Sequence, residues 1–164
     1  MAGFRRALSD ARYGWFAEMD ADLSHQPEEL LALMAASNGA DMVVGSRYIP
    51  GGRIEGWGAR RRVWSRTSNR IIRVALGVPV ADLTNGYRLY SRRAVELLSN
   101  TPLRETGYIS LSEWAYTLHR ANLAIREVPT VFINRRFGKS NMSGAEAIGA
   151  LRALVRIRTR SRRK

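Results

Sequence analysis

Residues 15–46 read WFAEMDADLSHQPEELLALMAASNGADMVVGS, and the order of apolar runs and breakers in them sets the fold class. WFAEM, residues 15–19, predicts a short buried strand, and it runs directly into Asp20-Ala21-Asp22. Pro27 followed by Glu28 and Glu29 is a helix start, because proline's missing N–H costs nothing in the first turn and acids there complement the helix dipole. Leu30, Leu31, Leu33 and Met34 continue that helix until Asn38-Gly39 ends it. DMVVGS, residues 41–46, is a second buried strand. Strand, helix and strand in this order predict an α/β domain.

The flanking sequence extends the same pattern. Residues 2–9 look like the end of a helix. Ile49 to Gly58 is a turn-rich loop, broken most clearly at Pro50-Gly51-Gly52. Residues 60–76 predict a basic amphipathic helix with Val63, Ile71, Val74 and Ala75 among its apolar positions and Gly77 as its cap. TNGYRLY (84–90) predicts a short strand, RRAVELL (92–98) a helix, and residues 109–121 a longer one. Pro129 lacks an N–H for a ladder, so AIREVPTVFIN (124–134) predicts an edge or bulged strand. Ser143-Gly144-Ala145-Glu146 matches a capping box opening a last helix, with Ile148, Leu151, Leu154 and Val155 as its apolar stripe. The division expected is a domain over 1–155 and a basic tail over 156–164.

Composition narrows the classes. The 164 residues are 45% apolar and 25% charged, enough for one packed core. With no cysteine, disulfides and thiolate metal sites are excluded, which suits a cytoplasmic setting. No run has the roughly 18 apolar residues of a membrane span, and MAGFRRALSDARYGW lacks a signal-peptide core, so any membrane contact is expected to be peripheral. The net charge is +13, and Lys139 and Lys164 are the only lysines among 27 basic residues. Arginine's planar fork suits bidentate binding of phosphate, whether in a nucleotide, a lipid head group or nucleic acid.

An Asp-x-Asp pair where a strand gives way to a loop presents carboxylate oxygens to a hard divalent cation. DADLSHQPEEL (20–30), GADMVVGSRYIPGG (39–52) and DLTNGYRLYSRRAVE (82–96), in that order and spacing, resemble successive blocks of the polyprenyl-phosphate (dolichyl-phosphate) mannosyltransferases of glycosyltransferase family 2. The resemblance continues through GYISLSEW and VPTVFINRRFGKSNMSGAE, covering about Asp10 to Val155. It implies the GT-A architecture, here a partial nucleotide-diphospho-sugar transferase fold lacking the first strands of its sheet. It also implies that Asp20 and Asp22 hold Mg²⁺ or Mn²⁺ against the diphosphate of GDP-mannose, with Ser24 a further ligand directly or through water. Arg47 would lie beside the donor phosphates and Arg135 would reach back to them. In ARRRVWSR, Arg61 and Ser65 would bind the acceptor phosphate, and their i, i+4 spacing puts both on one helix face.

Two acids are read as catalytic, Asp82 by the same resemblance and Glu113 from its place in the sequence. Asp82 either orients sugar hydroxyls or makes an Asx turn. Glu113, inside an apolar helix, is expected to meet an arginine or a sugar hydroxyl. His25 and His119 read as structural; Tyr87, Tyr90, Tyr108 and Trp114 read as core and rim. The chain departs from the family pattern at Asn141, where a lysine usually follows Gly-x-Ser. It also lacks the family's Pro-x-Tyr-Asn-Glu and second acidic blocks, which is expected to reflect a fragmentary gene model rather than a degenerate gene or a separate N-terminal or membrane-anchoring partner. The activity of the chain alone is therefore in doubt.

The function expected is inverting transfer of mannose from GDP-mannose to a polyprenyl phosphate. One alternative is another sugar, such as glucose, on the same acceptor; another is a non-catalytic basic module binding membranes or RNA. An aromatic-basic RNA-recognition block is missing, so no nucleic-acid partner is expected. From Arg152 onward there are seven basic residues and no acid, so the last helix and tail are expected to sit on an anionic membrane surface, on its cytoplasmic face.

Overall fold

The computed structural model describes residues 2–134 and 144–161. Its helices are α1 (Ala2–Leu8), α2 (Leu30–Ala35, led by a 3₁₀ turn over Pro27–Glu29), α3 (Ala59–Leu76), α4 (Arg92–Asn100), α5 (Tyr108–Arg120) and α6 (Gly144–Ser161). The strands are β1 (Trp15–Glu18), β2 (Met42–Ser46), β3 (Arg53–Glu55), β4 (Arg88–Ser91), β5 (Ile125–Pro129) and β6 (Val131–Ile133). A four-stranded sheet has the order β1-β4-β2-β5, and β3 pairs with β6 in a separate two-stranded ribbon. Both β1 and β2 run antiparallel to β4, so they are parallel to each other, and β5 is parallel to β2. Asp20 and Arg47 therefore leave the sheet at the same end.

Strand β2 is buried along its whole length, as its unbroken apolar run requires. Met42 and Val44 face a core built with Tyr90, Leu98, Leu118 and Ile72. Val43 faces the opposite side, with Leu33 of α2, Tyr87 and Leu89. This alternation is the period-2 consequence of the pleat. Gly77 ends α3 at φ +70, a left-handed backbone position that strains any residue with a Cβ.

Several expectations are corrected. The loop over 49–58 contains β3, which pairs with β6 in register Ile54↔Phe132. The strand expected over 84–90 is confined to Arg88–Ser91, because Asp82 to Gly86 turn to make side-chain contacts. The segment 124–134 is two strands: β5 is the expected edge, and the chain crosses at Pro129 into the second sheet.

Helix α3 buries Asn69, Ile72 and Leu76, while Val63, Ile71 and Val74 face solvent. Asn69 fixes that rotation by donating to Ser65 O and Thr84 Oγ1 and accepting from Leu83 N. Helix α6 buries Ala153, Leu154 and Ile157, leaving Leu151 and Val155 exposed. Its rotation lets Arg156 and Arg160 reach Glu105 and Glu113, so charge pairing overrides the expected stripe. The same helix carries through Ser161. The capping serine, Ser143, lies outside the described residues.

Candidate functional site

Two strand ends and one loop build the site. After β1, the chain turns through Asp20, Asp22 and Ser24, with Leu23 in the left-handed region at φ 62. A leucine there is strained, and local bonds hold it: Ser24 N–H and Ser24 Oγ–H both donate to Asp22 Oδ1, at 3.1 and 2.5 Å. Ile133 N–H donates to Ser24 O, tying the turn to β6. Asp20 is exposed and Ser24 is fully buried. The Ser24 hydroxyl thus stands behind Asp22 and orients its carboxylate.

Arg47 follows β2 and is 8% exposed. Its Nε and Nη2 donate to the two oxygens of Asp82 at 2.7 and 2.8 Å, and Nη2 also donates to Thr84 Oγ1. The Arg47 backbone N–H donates to Asp82 as well. Burial pushes the Asp82 carboxyl up, but the Arg47 charge and hydrogen bonds outweigh it and hold the group below the usual aspartate range. Burial likewise disfavours the Arg47 charge, and Asp82 more than restores it. Both oxygens of Asp82 are committed to this pair, so its side chain orients Arg47. Glu127 on β5 supports the same turn by accepting the N–H groups of Ala81 and Asp82.

Around Arg47 lie Tyr48, Trp57 and Phe132, each with its ring centroid within 5.9 Å of the guanidinium carbon. Arg61 lies over Trp57 at 3.8 Å, and both the indole N–H of Trp57 and Arg61 Nη1 reach Asn134 Oδ1. Tyr48 Oη–H donates to Ser65 Oγ at 2.6 Å, with Arg66 at 5.9 Å from the Tyr48 ring. Arg61 and Ser65 are thus drawn to the same aromatic cluster as Arg47 through Trp57 and Tyr48. Rings continue from Trp57 through Phe132 and His25 to Tyr87, forming an aromatic floor between the arginines and the acidic turn.

Glu113 stands elsewhere. Its Oε2 accepts the N–H groups of Arg104 and Glu105, and its Oε1 meets Arg160 at 3.2 Å. The arginine partner expected for this buried acid is there, and the contacts are those of a loop and helix clamp. Arg135 and Asn141 lie outside the described residues.

Sequence reasoning missed Tyr48, Trp57, Asn85 and Phe132. Trp57 sits in the run Gly56-Trp57-Gly58, where a large aromatic between glycines is the one signal available. Arg88 was also missed. Fully buried, it donates to the carbonyls of Leu83, Asn85 and Leu111, clamping the 82–86 loop onto α5.

Among the described residues no three His, Cys, Asp or Glu side chains gather as a metal cage. Two carboxylates on one turn fit an ion of the Mg²⁺ type, which takes one or two protein carboxylates and completes its shell with water and substrate phosphates.

The sequence profile of Glycosyl transferase family 2 matches residues 1–98. Among curated proteins, the chain is similar to Polyprenol monophosphomannose synthase of Mycolicibacterium smegmatis, 40% identical over 146 residues, or 88% of this chain and 55% of that protein. It is also similar to Undecaprenyl-phosphate mannosyltransferase of Micrococcus luteus, 38% identical over 144 residues, or 88% of this chain and 59% of that protein. The chain thus spans between half and two thirds of the length of these relatives. The mixed α/β sheet agrees with the GT-A expectation, and the family is generally dependent on a divalent metal. The profile match takes in the acidic turn, Arg47 and the 82–86 loop together, and the chain belongs to glycosyl transferase family 2.

Proposed function

We propose that the chain carries the cation-binding and acceptor-binding part of an enzyme moving mannose from GDP-mannose to a polyprenyl phosphate. The observation that carries this reading is the placement of an acidic turn and a cluster of Arg47, Arg61 and Arg66 at one end of the sheet. The names of the two relatives supply the sugar and the lipid. Asp20 and Asp22 would hold Mg²⁺ or Mn²⁺, which when bound neutralises the donor diphosphate. Among the described residues Arg47 Nη1 makes no hydrogen bond, and the group lies close enough to feel the Asp20 charge, which suits it to the same diphosphate. Arg135 is assigned with it by resemblance alone.

On the acceptor side, Arg61 and Ser65 are assigned to the lipid phosphate. A phosphate monoester is already largely ionised near neutral pH, its second pKa being about 6, so its oxygen needs no strong general base. That oxygen attacks the anomeric carbon opposite the leaving group. The new C–O bond forms as the bond to the diphosphate breaks, and GDP departs with the electron pair, inverting the centre. Asp82 and Glu113, read from the sequence as catalytic, act in this scheme through Arg47 and through the loop at 104–105.

The lipid acceptor requires a membrane surface. No described helix is long and apolar enough to cross a membrane. Ile71 and Val74 of α3 and Leu151 and Val155 of α6 are between 48% and 73% exposed, and Arg158 donates to Ala75 O where the two helices meet. With Arg70, Arg73 and Arg152 also exposed, these two faces are suited to an anionic bilayer, on the cytoplasmic side by our reading. Arg156 and Arg160 are drawn inward by Glu105 and Glu113, so the charge available to the bilayer is smaller than the sequence alone implies.

The test is transfer of radiolabelled mannose from GDP-mannose to polyprenyl phosphate in anionic vesicles with Mn²⁺, beside equilibrium binding of that lipid. Expected are a lipid-linked product lost in Asp22→Asn and lipid binding weakened in Arg61→Ala. Faster transfer from UDP-glucose would overturn the donor. Failure to bind polyprenyl phosphate more tightly than the free polyprenol would overturn the acceptor.

A further inference from the structure

We propose that His25, Asn85 and Gly86 are positioning residues for the Asp20 carboxylate, fixing it in the orientation that receives a divalent cation. The inference rests on the reading of Asp20 as a metal ligand.

Asp20 needs outside help. The residue is exposed, and among the described residues no hydrogen bond to its carboxylate fixes the rotation. A ligand that must be ordered at the moment of binding loses affinity to that ordering. Two contacts supply the order beforehand, one through the backbone and one against the side chain.

The backbone contact is a relay. His25 is 2% exposed, stacked on Tyr87 at 5.0 Å and met edge-on by Phe132 at 5.6 Å. Its Nδ1 accepts the Asp20 N–H at 3.2 Å, so the ring proton sits on Nε2. That proton is donated to Asn85 Oδ1 at 2.9 Å, and the Asn85 amide donates in turn to Gly45 O at 2.6 Å. Each group has one remaining role once its neighbour's is set, so tautomer and amide orientation are both determined. The relay runs from the end of β2 to the end of β1 and pins the peptide carrying Asp20. A histidine present only for packing would need the stacked ring but neither nitrogen.

The side-chain contact is at Gly86. A Cβ built there would lie 3.0 Å from Asp20 Oδ1, so the carboxylate rests on the open Cα of this glycine. Gly86 is not in the left-handed region, so alanine is compatible with its backbone and would act through its methyl by displacing the Asp20 carboxylate. Asn85-Gly86 therefore serves Asp20 from two sides: Asn85 through His25, Gly86 by the room it leaves.

The experiment follows Mn²⁺ alone binding to the full chain by NMR, reading paramagnetic broadening of the backbone amides at residues 20–24. Wild type is expected to show saturable broadening there that Asp20→Asn removes. Gly86→Ala and His25→Phe should each need on the order of tenfold more Mn²⁺, the scale of effect of residues supporting a metal ligand. His25→Asn keeps an acceptor at the place of Nδ1 and should recover part of that loss, which a packing role would not produce. Gly86→Ala should melt where wild type does, and if His25→Phe fails to fold, Gly86→Ala alone decides. Wild-type Mn²⁺ affinity in Gly86→Ala, with Asp20→Asn silent, overturns the positioning role and leaves the metal reading standing. A wild-type chain with no broadening at Asp20 overturns both.

Discussion

Asp82 and Asp20 lie at the same end of one sheet, yet the chain treats their charges oppositely. Asp82 is fully buried, takes a bidentate fork from Arg47 and gathers further bonds from Thr84 and the Arg47 backbone. Asp20 is exposed, with its backbone held by His25 and its carboxylate beside Gly86. A carboxylate withdrawn from water must find its counter-charge inside the protein, whereas an exposed one keeps its charge for a ligand. The buried pair is architecture that aims an arginine, and the exposed acid is a contact surface.

The largest effect expected follows from breaking the buried pair. Asp82→Ala leaves Arg47 buried without its partner and should cost about 3–5 kcal/mol in urea unfolding. Asp20→Ala should stay within about 0.5 kcal/mol of wild type while losing Mn²⁺ binding. Similar stability losses for the two variants would dissolve the contrast.

Acid titration sharpens it. Asp82 is held below its unfolded value, so its contribution to stability is complete above the ordinary aspartate range and is lost as pH falls through the folded value. Glu18 has the opposite sign. Burial raises it against the pull of Arg88 and the Tyr90 hydroxyl, so its contribution is complete below the ordinary glutamate range and fades as pH rises through the folded value. Unfolding followed from pH 2 to 7, a span of roughly the carboxylate range, should show a shallower acid limb in Asp82→Ala and a steeper rise in Glu18→Gln.

An intermediate effect is expected at Glu113, a buried acid whose partners come from a loop and α6. Glu113→Ala orphans two backbone N–H groups and releases Arg160, and should cost about 2 kcal/mol. A stability loss near zero, with transfer abolished, would return this residue to the chemistry. The smallest effect on stability belongs to the outer faces of α3 and α6. Val74→Ser with Leu151→Ser should change unfolding by no more than about 0.5 kcal/mol, yet release the chain from anionic vesicles in co-sedimentation. Unchanged vesicle binding would move the membrane contact elsewhere.

Much of this was legible in the sequence wherever a local pattern had one physical outcome. The apolar run at 42–46 had to be a buried strand, and Gly77 had to end the helix before it. The acidic pair at a strand end was equally plain. Helix rotation was not legible: Val63, Ile71 and Val74 look like a core stripe, but Asn69 satisfies three polar partners on the opposite side and turns them outward. In α6, pairing of Arg156 and Arg160 with buried acids did the same to Leu151 and Val155.

The sequence by itself determined the element order, the basic character, the acidic turn and the family to which the chain belongs. Only the tertiary structure decided which of the acids are spent on the protein itself. Asp82 is separated from Arg47 by 35 residues, His25 from Asn85 by 60, and Glu113 from Arg160 by 47. Local spacing carries helix and strand periodicity but holds no record of contacts made across folded layers. Those contacts consume one carboxylate and leave another exposed, and for that physical reason residues of identical chemistry take opposite roles at one end of a single sheet.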